Sequence, residues 1–358
     1  MKLAPGDRIG IIGGGQLGRM MAMAAARLGF NVSVLDPQEN APAFQCSDEP
    51  IIAAYDDHSA LEQMIETCQV VTYEFENVDV ETIRNLEDQG QFFPSSLALA
   101  TSQDRMIEKQ FFNNLGIATA PWATLEPDAP LAPVLETLGG SAIIKTRRFG
   151  YDGKGQIRVT SDDKASILAA ERLASQAPCI AEGMVEFERE ISIIAARSAN
   201  GNSKAYDLAE NVHKNGILHT STIPAHVSPD VQRHADEIGT NVLNALNYVG
   251  ILAIEFFQLP NGDLLVNEFA PRVHNSGHWT EAACHVSQFE QHIRAIAGLP
   301  LANTDRHSNC VMENLIGSDV ERVDEIHEFN NTKLHLYGKD EVRDGRKMGH
   351  FTTLTPKD

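Results

Sequence analysis

The 358-residue chain sets 29 Lys and Arg against 49 Asp and Glu, a formal net charge of −20. So negative a chain excludes a phosphate-tracking nucleic-acid binder and a partner of anionic membranes, and any anionic ligand must meet a local basic pocket. The 42% hydrophobic and 22% charged fractions exclude a disordered or fibrous chain, and at roughly 150 residues per domain the length predicts two to three domains.

From residue 8 to about 94, short apolar runs alternate with helical periodicity, the pattern of a doubly wound α/β sheet. Strands are predicted over 9–12, 32–35, 51–54 and 70–73, with helices over 17–28 and 59–68. A further helix over 103–115 precedes the proline-containing stretch 118–133, so the first domain is expected to end near 103. The next region carries glycine clusters and hairpin turns, with strands over 142–145, 156–159, 179–181 and 190–197 and a helix over 165–175, which is α+β architecture. Beyond Pro300, strand-like pieces at 334–337 and 350–354 predict a small β-rich terminal unit. Five scattered cysteines, none in a C-x-x-C arrangement, fit a reducing compartment. The apolar stretch 20–26, flanked by Arg19 and Arg27, is too short to cross a bilayer and lacks a signal-peptide setting. A cytoplasmic location is expected.

Gly13-Gly14-Gly15-Gln16-Leu17-Gly18, between a strand and a helix, satisfies the dinucleotide fingerprint, with Asp36 placed to take a ribose hydroxyl. The same glycines would equally let helix N-terminal amides approach any polar group, or form a tight turn without a ligand. The stretch from Lys145 to Gln156 ends a strand in a lysine and continues as a basic loop with three glycines. It reads as a cover for a triphosphate or as an exposed hairpin tip.

The stretch from Ile254 to Glu268 contains Asn261-Gly262 between apolar runs, a strong hairpin signal. A two-residue turn there pairs Pro260 with Asp263 and, counting back, Glu255 with Glu268. Like charges directly across a strand pair repel, so a divalent cation bridging both carboxylates and nucleotide phosphates is one reading. A wet, solvated face is the other. A regular strand aims Asn267 away from Glu268. In the donor-rich loop that follows, Arg272 is a candidate anion clamp and His274 a candidate proton donor. Lys339, Arg343, Arg346 and Lys347 gather around Asp344-Gly345 as a candidate phosphate pocket or a solvated hairpin.

Taken together, Ile11 to Met20, Tyr73-Glu74-Phe75-Glu76-Asn77-Val78, Gly150 to Gln156, Asn267 to Trp279 and Gly345 to His350 resemble the ATP-grasp superfamily. Within it they resemble the N5-carboxyaminoimidazole ribonucleotide synthetases, the ATP-dependent carboxylases of de novo purine synthesis. The resemblance spans essentially the whole chain; its 267–279 string is highly specific and its glycine motif is not. It implies a Rossmann-like domain over 1–103, an ATP-grasp domain over 104–299 and a small C-terminal β unit over 300–358. It implies ATP contacts from Arg105, Lys145, Gly150, Tyr151, Asp152, Gly153, Lys154, Gly155, Gln156, Glu182, Gly183, Met184, Val185, Glu190, His213, Asn267 and Glu268, with Mg²⁺, or Mn²⁺, on Glu255 and Glu268. It places 5-aminoimidazole ribonucleotide against Gln16, Leu17, Glu76, Asn275, Lys339, Arg346 and Lys347, the last three on its phosphate.

Bicarbonate is the implied carboxyl source, through carboxyphosphate, with Arg272, His274, Tyr151 and Lys154 assisting and the glycine loop closing over the site. A homodimer is the implied assembly. Ala270 stands where many superfamily members have an asparagine, which removes one oxygen ligand. The formate-dependent glycinamide ribonucleotide transformylases have a similar layout, but Asn275-Ser276-Gly277-His278-Trp279 resembles the carboxylase. Two other readings are a nicotinamide oxidoreductase, which leaves the facing glutamates without purpose, and a nucleotide-binding regulator without turnover.

Overall fold

The computed structural model describes residues 2–87, 89–127, 129–150 and 155–357. Four parallel strands open the chain: β1 (Arg8–Ile12), β2 (Asn31–Asp36), β3 (Glu49–Ile52) and β4 (Val70–Tyr73), in the order β3-β2-β1-β4. Helices cover both faces, as a parallel sheet requires. The helix Gln16–Arg27 packs on Ile9, Ile11, Val32 and Val34, and His58–Thr67 packs with Ile12, Leu35, Val71 and Tyr73. β3 lies two residues earlier than expected, because an edge strand can accommodate Pro50. The helix predicted over 103–115 is broken at its start. Ser96–Ser102 ends there, and Asp104 caps a new helix, Arg105–Asn114, by accepting from Met106 N and Ile107 N.

A second, antiparallel sheet contains β5 (Trp122–Leu125), β6 (Ser141–Thr146), β7 (Gln156–Thr160) and β8 (Cys179–Gly183), ordered β5-β8-β6-β7. Leu131–Thr137 and Lys164–Gln176 close a small core over it.

The remaining strands form one antiparallel sheet of nine. They are β9 (Arg189–Arg197), β10 (Ser203–Ala205), β11 (Ala209–Lys214), β12 (Ile217–Ile223), β13 (Gly250–Gln258), β14 (Leu264–Ala270), β15 (Ser308–Ile316), β16 (Thr332–Leu336) and β17 (Lys347–Pro356). The order is β14-β13-β9-β11-β12-β15-β17-β16, with β10 beside β9. The C-terminal strands thus build no sheet of their own. Three strands bury little apolar surface alone, and β15 instead pairs with the otherwise open edge of β12.

Alternation along β13 divides the two faces of this sheet. Leu252, Ile254 and Phe256 face the helix Pro229–Ala245, whereas Ile251 and Ala253 face Gln288–Ile296 and join the core of the first sheet. Glu255 continues the second row, so an apolar face becomes polar at that rung, between the three sheets.

Candidate active site

Glu255 and Glu268 do stand opposite each other, but the turn that brings them there differs from the expected one. The chain reverses through three residues: Gly262 N donates to Leu259 O, Leu259 N donates to Asp263 O, and Gly262 takes a φ of +90°. That longer turn shifts the ladder by one, pairing Phe256 with Val266. A bulge at Asn267, which has no partner on β13, shifts it back. The two departures cancel. Val266 and Phe269, three apart, both pack into the core, so Asn267 and Glu268 both leave it. This corrects the expectation that Asn267 turns away: the strand is not regular, and the Asn267 Oδ1 is a buried acceptor with no hydrogen bond among the described residues.

The facing carboxylates are unequal. Arg105 Nη1 donates to Glu268 Oε2 at 3.0 Å, and that side chain is 42% exposed against 16% for Glu255. Burial raises the Glu255 pKa and the Glu268 charge raises it further, whereas Arg105 outweighs burial at Glu268 and holds it low. Of the two, the less solvated Glu255 takes up a proton more readily. Among the described residues no group of three or more His, Cys, Asp or Glu side chains is arranged to hold a metal ion. Two carboxylates and an unpartnered amide oxygen are nonetheless hard donors suited to Mg²⁺ that takes its other ligands from phosphates and water.

Cations flank this pair. Lys145 Nζ donates to Glu182 Oε2 at 2.9 Å, joining β6 to β8, and Lys109 Nζ lies 3.7 Å from the other Glu182 oxygen. On the other side His213 Nδ1 meets Glu190 Oε2 across β11 and β9. Burial lowers the His213 pKa, but the Glu190 hydrogen bond and the Glu255 and Glu268 charges outweigh it and leave the imidazole raised. Glu190, Ser192 and Asn211 lie on adjacent strands, with Asn211 Nδ2 donating to Ser192 Oγ and Ser221 Oγ donating to Asn211 Oδ1. This polar row fixes the floor beside Glu255, whose direct partner on β9 is Ser192.

The loop after β14 supplies the opposite wall. Arg272 Nε bonds Glu76 Oε2 at 2.8 Å and Arg272 Nη1 donates to Val273 O, so the guanidinium links the central sheet to the first one. His274 Nδ1 accepts from Ser276 N at 3.3 Å, which leaves the ring proton on Nε2, 3.7 Å from Glu255 Oε1. Burial and the neighbouring Arg272 charge hold its pKa down to about 3, so His274 is a neutral donor. Asn275 is 8% exposed, and neither its Oδ1 nor its Nδ2 has a partner among the described residues. Lys339 Nζ donates to Lys347 O at 2.7 Å and Arg346 Nη1 to Glu341 O at 2.8 Å, placing three cations along the β16–β17 connection and the first residue of β17. The Lys347 charge reaches both Glu255 and His274. Arg343 instead pairs with the exposed Glu341 and stands apart.

The glycine turn after β1 is occupied by the protein itself. Glu74 accepts from Gly15 N at 2.7 Å and from Leu17 N and Gly18 N at 3.1 Å, where a pyrophosphate would lie. Asp36, expected to take a ribose hydroxyl, instead accepts from Gly14 N and Tyr55 Oη, both at 2.7 Å. A Cβ at Gly13 or Gly15 would come within 2.4 Å of the Glu74 side chain, so these glycines serve an internal carboxylate. Addition of NADH is accordingly expected to leave the intrinsic tryptophan fluorescence unchanged; saturable quenching would restore the dinucleotide reading.

Gln16 begins the first helix, and Leu17 beside it is buried. Gly150 O accepts from Arg105 Nη2 at 3.4 Å, Gly155 O accepts from Thr146 N, and Gln156 begins β7 opposite Lys145. Gly183 ends β8, with Met184 and Val185 half-buried after it. Tyr151, Asp152, Gly153 and Lys154 lie outside the described residues. Sequence reasoning missed Glu74, Glu108 and Lys109. An adjacent Glu-Lys pair in a helix ordinarily marks a solvated face, so only the apolar residues around Glu108 and Lys109 carried a signal.

A β-grasped pair of carboxylates, a lysine at the end of β6 and a preceding open sheet define the class of protein: an ATP-grasp enzyme. The ATP-grasp domain family matches residues 110–289, the ribonucleotide synthetase preATP-grasp domain matches 7–103, and the phosphoribosylaminoimidazole carboxylase C-terminal domain matches 310–358. The N5-carboxyaminoimidazole ribonucleotide synthase of Brucella melitensis is 56% identical over 99% of this chain and 98% of its own. The structure of the Staphylococcus aureus synthetase complexed with ADP superposes with a TM-score of 0.94 at 38% identity, covering 99% of this chain and 94% of that one. The Aspergillus clavatus synthase, in complex with ADP and 5-aminoimidazole ribonucleotide, gives 0.92 at 31% identity over 98% and 94%. The chain belongs to the N5-carboxyaminoimidazole ribonucleotide synthase family.

Proposed function

We propose that the chain uses ATP and bicarbonate to carboxylate the exocyclic amine of 5-aminoimidazole ribonucleotide in purine biosynthesis, giving N5-carboxyaminoimidazole ribonucleotide, ADP and phosphate. The observation that carries this reading is the convergence of the Glu255–Glu268 pair with Arg272, His274 and the charge of Lys347, to whose carbonyl Lys339 is hydrogen-bonded. A bicarbonate oxygen attacks the γ-phosphorus as its bond to the ADP oxygen breaks, giving carboxyphosphate. Its breakdown releases phosphate and CO₂, and the amine nitrogen attacks the CO₂ carbon while its proton passes to the released phosphate.

Arg105, Lys145, the loop 150–156, Glu182, Gly183, Met184, Val185, Glu190, His213 and Asn267 hold ATP. Glu255 and Glu268 hold Mg²⁺ or Mn²⁺, which when bound supplies positive charge to the phosphoryl oxygens. Lys145 and Arg272 add preorganised charge at the transferring group. The neutral His274 donates from Nε2 toward the carboxylate, with Tyr151 and Lys154 assisting from the glycine loop. Gln16, Leu17 and Glu76 position the substrate on the first sheet, where the Leu17 N–H already serves Glu74. Asn275 offers both an unpaired donor and an unpaired acceptor to the imidazole or ribose, and Lys339, Arg346 and Lys347 take the phosphate.

The functional units in this reading are 1–103, 104–299 and 300–358, in a cytoplasmic homodimer. The test is ADP release by the purified protein. It is expected to require Mg²⁺, bicarbonate and 5-aminoimidazole ribonucleotide together, and to be absent with formate and glycinamide ribonucleotide. Turnover with the second pair alone would move the chain to transformylase chemistry.

A further inference from the structure

The bulge at Asn267 is what makes the two-carboxylate site. Continuing the register of Phe256 and Val266 without it would set Asn267 opposite Glu255 and turn Glu268 toward the core containing Val266 and Phe269. A bulge disrupts the ladder and leaves backbone groups to be satisfied elsewhere. β14 is also an edge strand, so among the described residues its outer side has no strand neighbour beyond the bridge between Thr119 and Val266.

Two adjacent side chains of the helix Arg105–Asn114 supply those partners. Lys109 Nζ donates to Asn267 O at 2.7 Å and to Val266 O at 3.4 Å, and Glu108 Oε1 accepts from Phe269 N at 2.7 Å. Both are almost fully buried, at 1% and 2% exposure. Polar side chains are retained at such depth only where hydrogen bonds satisfy them, and an apolar pair would leave the bulge carbonyl and the Phe269 amide without partners. The same helix begins with Arg105, which bonds the Glu268 carboxylate. One helix therefore grips the bulged residue, the residue after Glu268, and Glu268 itself.

We propose that Glu108 and Lys109 are positioning residues that hold the Asn267 bulge by its backbone and so keep Glu268 opposite Glu255 for the cation. This rests on the reading of those glutamates as metal ligands, and the test separates the two. Mn²⁺ binding in the presence of ADP is measured by electron paramagnetic resonance, and Phe269 amide exchange by NMR on the protein without metal or nucleotide. Lys109→Met is expected to weaken Mn²⁺ binding about tenfold or more, the scale of losing an outer partner of a metal ligand, and to speed exchange at Phe269. Lys109→Arg is expected to recover most of both. Glu108→Met serves as the second variant should Lys109→Met fail to fold.

Glu268→Gln is the reference. If it leaves Mn²⁺ affinity unchanged, the metal reading itself fails. If it weakens binding while Lys109→Met and Glu108→Met alter neither Mn²⁺ affinity nor exchange, the positioning role is overturned. Collapse of both methionine variants, with Lys109→Arg and Glu108→Gln folded and binding Mn²⁺ normally, supports positioning only if Phe269 exchange in those two stays slow; faster exchange with normal affinity overturns it.

Discussion

Glu268→Gln is expected to lower the rate of substrate-dependent ADP release by two to three orders of magnitude, the scale of removing a preorganised electrostatic partner of a transition state. Its thermal midpoint without ligands should stay close to that of the parent. The substitution removes repulsion between facing carboxylates and costs Arg105 one partner, effects that oppose each other. Saturating MgADP should stabilise the parent and not the variant, because a ligand raises the midpoint only insofar as the folded protein binds it. Kinetics, differential scanning fluorimetry and a metal titration check the three parts. A variant that melts well below the parent and retains its rate per folded molecule would make Glu268 a structural residue.

A second large effect is expected far from the metal. Glu74→Ala removes the acceptor for the amides of Gly15, Leu17 and Gly18 at a tight turn. Burial raises the Glu74 pKa even against the Gly15 and Gly18 amides, so the half-buried carboxyl is held there at a cost in solvation. Leaving three donors unpaired there should cost about 3 kcal/mol. The measurement is the urea midpoint, with the slope compared to verify that unfolding remains a single transition. Glu74→Gln keeps one acceptor oxygen and should fall between parent and alanine variant. A midpoint unmoved in Glu74→Ala would mean that the turn stands without its internal anion.

The sequence was most legible where one period ran uninterrupted. Three of the four strands of the first sheet fall where alternating apolar runs place them, because buried parallel strands have no other composition open to them. The facing of Glu255 and Glu268 was legible for a partly mistaken reason: Pro260 and Asp263 were expected to flank a two-residue turn, and the true three-residue turn is offset by the bulge. Bulges leave little trace in composition, since Asn267 is as polar as any residue on a wet face. His213 and Glu190 were reached only through the family resemblance. β11 is short and mostly polar, and its alternation is masked by a second irregularity between Val212 and His213. The pairing of Arg272 with Glu76 spans two sheets that no local pattern relates, and the Glu74 contacts are likewise a consequence of how β4 lies beside β1.

The nine-stranded sheet orders assembly against synthesis. β17 comes after every other strand in sequence, yet it lies in the interior, between β15 and β16. Lys339, Arg346 and Lys347, at and before its start, cannot be brought beside the carboxylates until residues 347–356 are threaded into that place, whereas the carboxylates on β13 and β14 need nothing beyond residue 270 to meet. A ribosome-bound chain could therefore close its metal hairpin long before it has anywhere to put a sugar phosphate, and the long-range pairing that completes the cleft is the slow kind.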